Sequence, residues 1–164
     1  MQSGPFEQAF CYLLKKRILF LKRAICVKSG YTGFYLHIWS VPSILWGSSC
    51  DEGSNDEALV VLLHGGGYSG LTWGPMAKTL KDSVRCRIWA LDLRGHGDTV
   101  FADEDEEKVL EAERMAEDIS SVISHLVASR GGLTGPVVIV GHSMGGALAV
   151  HTGAWVILRG PRVG

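Results

Sequence analysis

The stretch Val137–His151, "VVIVGHSMGGALAVH", constrains the fold more than any other part of the chain. It places Gly141-His142-Ser143-Met144-Gly145 between a short apolar run and a helix-forming segment. A Gly-x-Ser-x-Gly sequence in that setting requires a sharp strand-to-helix turn, at which a Cβ on either flanking residue would meet backbone. The turn lifts the Ser143 hydroxyl above the end of a sheet. Such a serine becomes a nucleophile only if a base takes its proton and a third group holds the base.

Upstream, "LVVLLHGGG" from Leu59 is a wholly apolar, β-branched run that ends in glycines, the pattern of a parallel strand buried on both faces. "LTWGPMAKTLKD" follows as a short helix, and "CRIWALDLRGHG" as a second buried strand with a polar loop at its carboxyl end. Between Glu106 and Ser129, Val109, Ala112, Ala116, Ile119, Val122, Ile123 and Leu126 recur at helical spacing, which predicts an amphipathic helix with its acidic residues facing water. "GLTGP" ends it, "VVIV" is a third buried strand, and Met144–Leu158 is the last helix. This alternation defines a parallel α/β sheet with flanking helices.

Residues 58–164 therefore form one α/β unit, and residues 1–57 a poorly defined leader, a candidate for partial disorder. Its first fifty residues carry Lys15, Lys16, Arg17, Lys22, Arg23 and Lys28 against Glu7 alone, within a chain of net charge -1. Apolar residues Phe10, Leu13, Leu14, Ile18, Leu21 and Ile25 among those charges suggest an amphipathic helix, with a transit-like segment as the alternative. Inside it, "YTGFYLHIW" has the composition of a strand. The charges break any apolar core of a secretory signal, and no run is apolar enough to span a membrane.

The cysteines Cys11, Cys26, Cys50 and Cys86 lack the paired spacing of a zinc site or a disulfide framework, so reduced thiols and no metal are expected. The basic residues are not arranged in a nucleic-acid recognition motif.

His64-Gly65-Gly66-Gly67 ends the first strong strand, where its backbone N–H groups can face the oxyanion formed when Ser143 attacks an ester carbonyl. Gly66 or Gly67 would give one donor and Met144 the other. The glycines lack the Gly-Lys-Ser/Thr ending of a nucleotide loop. His64 and His142 read as residues fixed by their loops rather than as the base. Asp92, Arg94, His96 and Asp98 in "DLRGHGD" read as groups that hold the loop beside the pocket.

"LLHGGG", "LDLRGHGDT" and "GHSMGG", in this order, resemble the α/β-hydrolase fold. The longer segments "VLLHGGGYSGLTWGPMAKTL", "CRIWALDLRGHGDT" and "VIVGHSMGGALAVHT" resemble the protein phosphatase methylesterase branch of it, from about Ala58 to Thr152. The resemblance implies a serine carboxylesterase that removes the carboxyl-terminal methyl ester of the protein phosphatase 2A catalytic subunit. It implies Ser143 as nucleophile, no cofactor, that subunit as partner, and a cytoplasmic or nuclear location. Other esterases and lipases share the motifs, and a non-catalytic hydrolase-like binding module is the alternative from another class. A serine at the elbow, in place of an aspartate, argues against the dehalogenase and epoxide-hydrolase branches.

The resemblance also implies a triad aspartate and histidine downstream of the serine. After Ser143 the sequence contains no Asp or Glu, and its one histidine is His151. The expectation is an amino-terminal half of the fold, without the later strands and without the triad acid and base. The strand Val137–Val140 would then be an exposed edge, open to self-association.

Overall fold

The computed structural model describes residues 11–14, 18–29, 32–40, 57–101, 109–128 and 135–159. The acidic run Asp103–Glu107 lies outside them. The elements are β1 (Cys11–Leu14), β2 (Ile18–Ser29), β3 (Thr32–Ser40), β4 (Ala58–Leu63), a 3-10 turn (Gly70–Trp73), α1 (Gly74–Ser83), β5 (Cys86–Leu91), β6 (Val100–Phe101), α2 (Ala112–Ala128), β7 (Val137–Gly141) and α3 (Met144–Arg159). One sheet runs in the order β1-β2-β3-β5-β4-β7, and β6 pairs with β3.

The parallel part is the one the alternating pattern requires. β4 pairs in parallel with β5 on one side, Val61 opposite Trp89, and with β7 on the other, Val61 opposite Ile139. β4 is apolar throughout because both its faces are covered. Leu59, Val61 and Leu63 join Trp89 and Leu91 under Met115, Ile119, Val122 and Leu126 of α2 and Leu148 of α3. The alternate residues Val60 and Leu62 join Ile88 and Ala90 against Ala77 of α1. A period of two thus builds two cores from one continuous apolar run, each fully buried Val or Leu contributing about 1.5–3 kcal/mol.

The amino-terminal segment departs from expectation. Ile18–Ser29 is a strand, not an amphipathic helix, and pairs antiparallel with β3 from Ser29↔Thr32 to Leu21↔Ser40. Only Gly30-Tyr31 separates the two strands, a two-residue hairpin signal with glycine first. The spacing of Leu14, Ile18, Leu21 and Ile25 suits a helix locally, but the aromatic and β-branched content of "TGFYLHIWS" offers a partner from Leu21 to Ser29, while β1 pairs antiparallel with Ile18–Leu21 on the other side. β3 then pairs antiparallel with β5, Trp39 opposite Ala90, which joins this hairpin to the parallel strands.

α2 starts at Ala112, with Glu113 in its first turn where the helix dipole favours a negative charge. One acidic residue does not face water: Asp118 is buried with the apolar stripe. β7 is less covered than its apolar sequence suggests, since β4 is its one neighbour among the described strands. Val137 and Val138 are 40% and 44% exposed. Among the described residues, no helix is long and apolar enough to cross a membrane.

Candidate active site

β7 runs directly into α3 through His142 and Ser143. The His142 N–H still reaches the Leu63 carbonyl of β4 at 3.1 Å, as a last rung of the ladder. At the next residue the backbone reverses, and Ser143 has φ +53°, in the left-handed region. Helical hydrogen bonding begins at once, with Gly146 N–H and Ala147 N–H donating to the Ser143 carbonyl at 2.9 and 3.2 Å. A non-glycine residue held there costs roughly 1–3 kcal/mol and persists only where its surroundings enforce it.

The enforcement comes from the flanking glycines. A Cβ on Gly141 would overlap the Gly145 carbonyl, and one on Gly145 would overlap the Leu63 carbonyl and lie 2.6 Å from the His64 oxygen. Strand, turn and helix pack backbone on backbone at these two points. Ser143 is left exposed at the carboxyl end of the sheet.

The glycine-rich loop after β4 lies against this turn. A Cβ built on Gly65 comes within 3.1 Å of His142 Nδ1 and 3.4 Å of Ser143 Cβ, and one on Gly66 within 3.9 Å of Met144 Sδ. Gly67 has φ +76°. Gly66 and Gly67 are exposed, while His64 is fully buried. The fold therefore brings Gly65 against Ser143 and Gly66 against Met144, residues that chain spacing alone separates into two loops, with Gly67 next along the first of them.

His64 holds its loop rather than facing the serine. Its Nε2 accepts the Leu93 N–H at 3.0 Å, and its Nδ1 is 2.7 Å from the Gly65 carbonyl. Burial pushes this imidazole below its ordinary pKa; the hydrogen bond to Gly65 opposes the shift, nearby His96 adds to it, and Asp92 opposes it. His96 binds the Arg94 carbonyl through Nδ1 at 2.8 Å. His151 is exposed on α3, eight residues and about 12 Å of helix rise beyond the serine. Among the described residues no histidine is hydrogen-bonded to the Ser143 hydroxyl.

The residues of "DLRGHGD" fix this region. Asp92 is buried and accepts the Gly70 N–H at 2.7 Å and the Asp98 N–H at 3.4 Å, and its carbonyl accepts the Thr99 hydroxyl at 2.6 Å. Gly97, at φ +60°, leaves room for the Asp92 carboxylate where a Cβ would collide with it. Arg94 donates from Nε to Asp118 Oδ2 at 2.7 Å and from its terminal nitrogen to Oδ1 at 2.9 Å, its guanidinium 3.9 Å from the centre of the Phe101 ring. Burial pushes the Asp118 carboxyl above its usual range, and the hydrogen bonds and charge of Arg94 pull it back.

Asp118 is the member of this network that the helical pattern concealed. It falls three residues after Met115 and four before Val122, inside the stripe that faces the core. An acid at such a position signals a buried cation opposite, and Arg94 is that cation.

Known proteins are similar to this chain in sequence and in fold. A family profile described as the alpha/beta hydrolase family matches residues 60–164. A probable protein phosphatase methylesterase 1 of Caenorhabditis elegans is 50% identical over 98 residues, 60% of this chain and 25% of that protein. Protein phosphatase methylesterase 1 of Mus musculus is 45% identical over 103 residues, 63% of this chain and 25% of that one. The chain thus spans about a quarter of the length of these curated relatives.

Among solved structures, a thermophilic esterase from Thermogutta terrifontis superposes with a TM-score of 0.57 at 25% identity, over 80% of this chain and 40% of that one. A laboratory-evolved potato epoxide hydrolase gives 0.61 at 17% identity, over 84% and 36%, a likeness of fold alone. With a parallel β5-β4-β7 core, a left-handed serine between two glycines and a profile match over most of its length, the chain belongs to the alpha/beta hydrolase family.

Proposed function

We propose that the chain carries the nucleophile and oxyanion cradle of a serine carboxylesterase of the protein phosphatase methylesterase type. Its substrate on this reading is the carboxyl-terminal methyl ester of the protein phosphatase 2A catalytic subunit, and that subunit is its partner. The observation that carries the esterase reading is Ser143 held at φ +53° against the Gly65–Gly67 loop. The names of the relatives at 45–50% identity support the choice of ester.

In this chemistry the Ser143 Oγ bonds to the ester carbonyl carbon, and its proton passes to a base. The carbonyl oxygen becomes an oxyanion, which accepts the Met144 N–H, at the open first turn of α3, and the N–H of Gly66 or Gly67. The tetrahedral adduct then expels methoxide, which takes up a proton and leaves as methanol, and water releases the acid from the serine. Among the described residues no side chain is placed as the base: His64 is held by the backbone on both ring nitrogens and His96 through Nδ1. Turnover by this chain alone is therefore lower than that of a complete triad by roughly 10⁴–10⁶.

A fluorophosphonate probe tests the nucleophile without assuming a substrate. The expected result is slow labelling of the folded chain that vanishes in Ser143→Ala. Labelling that persists in Ser143→Ala, or a folded wild type that stays unlabelled, contradicts the reading.

The edge strand supports a further property of the chain made on its own. Among the described strands β7 has β4 alone as a neighbour, and with Val137 and Val138 exposed its other side is open to a second copy. Sedimentation is expected to show concentration-dependent association, and Val138→Lys, a charge on the edge, to shift the chain toward monomer. A wild type that stays monomeric at high concentration would contradict it.

A further inference from the structure

We propose, building on Ser143 as the nucleophile, that His64 is a positioning residue whose buried imidazole sets the direction of the Gly66 N–H toward the elbow. The chain of contacts begins 29 residues away. Because Nε2 accepts the Leu93 N–H at 3.0 Å, it bears no proton, and the neutral ring carries its hydrogen on Nδ1. That N–H donates to the Gly65 carbonyl at 2.7 Å. The same carbonyl accepts the Tyr68 N–H at 3.2 Å.

Two donors thus hold the Gly65 oxygen on the side of His64. The peptide between Gly65 and Gly66 is planar and trans, so its N–H points the opposite way from its carbonyl. Gly65 packs against His142 and Ser143, and beside Gly66 lies Met144. The Gly66 N–H is therefore the donor of this loop, and its direction is set by a ring that never touches substrate.

The arrangement works only with a neutral imidazole. A proton on Nε2 would oppose the Leu93 N–H, donor against donor, and the ring would have to move with the Gly65 carbonyl. The titratable groups that face His64 are His96, with ring centroids 5.1 Å apart, and Asp92 at the end of β5; His142 lies beyond Gly65 on the elbow. Burial, the largest influence, keeps the ring neutral by lowering its pKa. A lowered folded-state value means that the stabilisation is complete above the ordinary histidine value of about 6.5 and is lost as pH falls through the folded one.

The test reads the orientation directly, from the one-bond N–H residual dipolar coupling of Gly66 in the weakly aligned, 15N-glycine-labelled chain, assigned with Gly66→Ala. In His64→Phe, which keeps a buried ring and removes both hydrogen bonds, the Gly66 coupling is expected to change while those of β4 and β5 hold. Labelling of Ser143 is expected to fall by on the order of 10²-fold, the usual effect of losing an oxyanion donor. An unchanged Gly66 coupling in a folded His64→Phe chain would overturn the proposal.

Should that variant not fold, wild type decides. The Gly66 amide is expected to move with the His64 ring nitrogens as pH is lowered below 6.5, and a Gly66 amide indifferent to that titration refutes the role. Absence of Ser143 labelling in wild type would defeat the esterase reading separately, and the coupling would still decide what His64 does.

Discussion

Gly145→Ala is expected to cost about 3 kcal/mol or more in unfolding free energy and to abolish labelling of Ser143, whereas Gly146→Ala, one residue on, leaves both intact. The contrast follows from what a methyl group meets. At Gly145 it overlaps the Leu63 carbonyl and crowds the His64 carbonyl, both in the backbone where β4 ends, which cannot rotate away like a side chain. Relief requires α3 to move off the sheet, and overpacking of this kind typically costs 1–3 kcal/mol where only side chains shift, and more where backbone must. At Gly146 the nearest atom is the Gly141 carbonyl oxygen at 3.4 Å, an ordinary contact, and alanine favours a helix over glycine by about 0.5–1 kcal/mol.

Urea midpoints at constant m-value measure the two changes. Similar stability for the two variants would show that the close approach of α3 to β4 does not hold Ser143 in place. The serine's φ of +53° makes the same variants a test of function. The close packing at Gly141 and Gly145 holds Ser143 in that region, so a helix displaced from β4 lets Ser143 relax and withdraws its hydroxyl from the Gly65–Gly67 loop. Loss of labelling with full stability would mean that the two effects are separable.

Much of this was legible in the sequence because it is local. The apolar runs of β4, β5 and β7, the 3.6-residue period of α2 and the glycine spacing around Ser143 each need only their own neighbours. The proximity of Gly66 to Met144 was also accessible, because both loops leave the same end of adjacent parallel strands. What escaped depends on distant partners. Ile18–Ser29 satisfies a helical spacing and becomes a strand because Thr32–Ser40 and Cys11–Leu14 pair with it and Thr32–Ser40 docks on β5. His64 reads as a loop residue, but its tautomer follows from the Leu93 N–H. Asp118 reads as one more acid on an amphipathic helix until Arg94, 24 residues earlier, is placed opposite it.

That last pair predicts the other large effect. Asp118→Leu is expected to destabilise the fold by about 3–5 kcal/mol, since it leaves the Arg94 guanidinium buried without its carboxylate. The side chains are 1% and 5% exposed, so water cannot replace the lost partner without opening the core between α2 and the loop after β5. A folded domain of ordinary stability has only about 5–15 kcal/mol to lose. The size of the effect comes from the orphaned charge rather than from the strength of the bond, and the double variant Arg94→Met with Asp118→Leu separates the two. With both charges replaced by apolar groups of similar length, it should recover at least about 2 kcal/mol over Asp118→Leu alone. A double variant no better than the single would mean that Arg94 is held chiefly by the Phe101 ring, 3.9 Å from its guanidinium, and by its other neighbours.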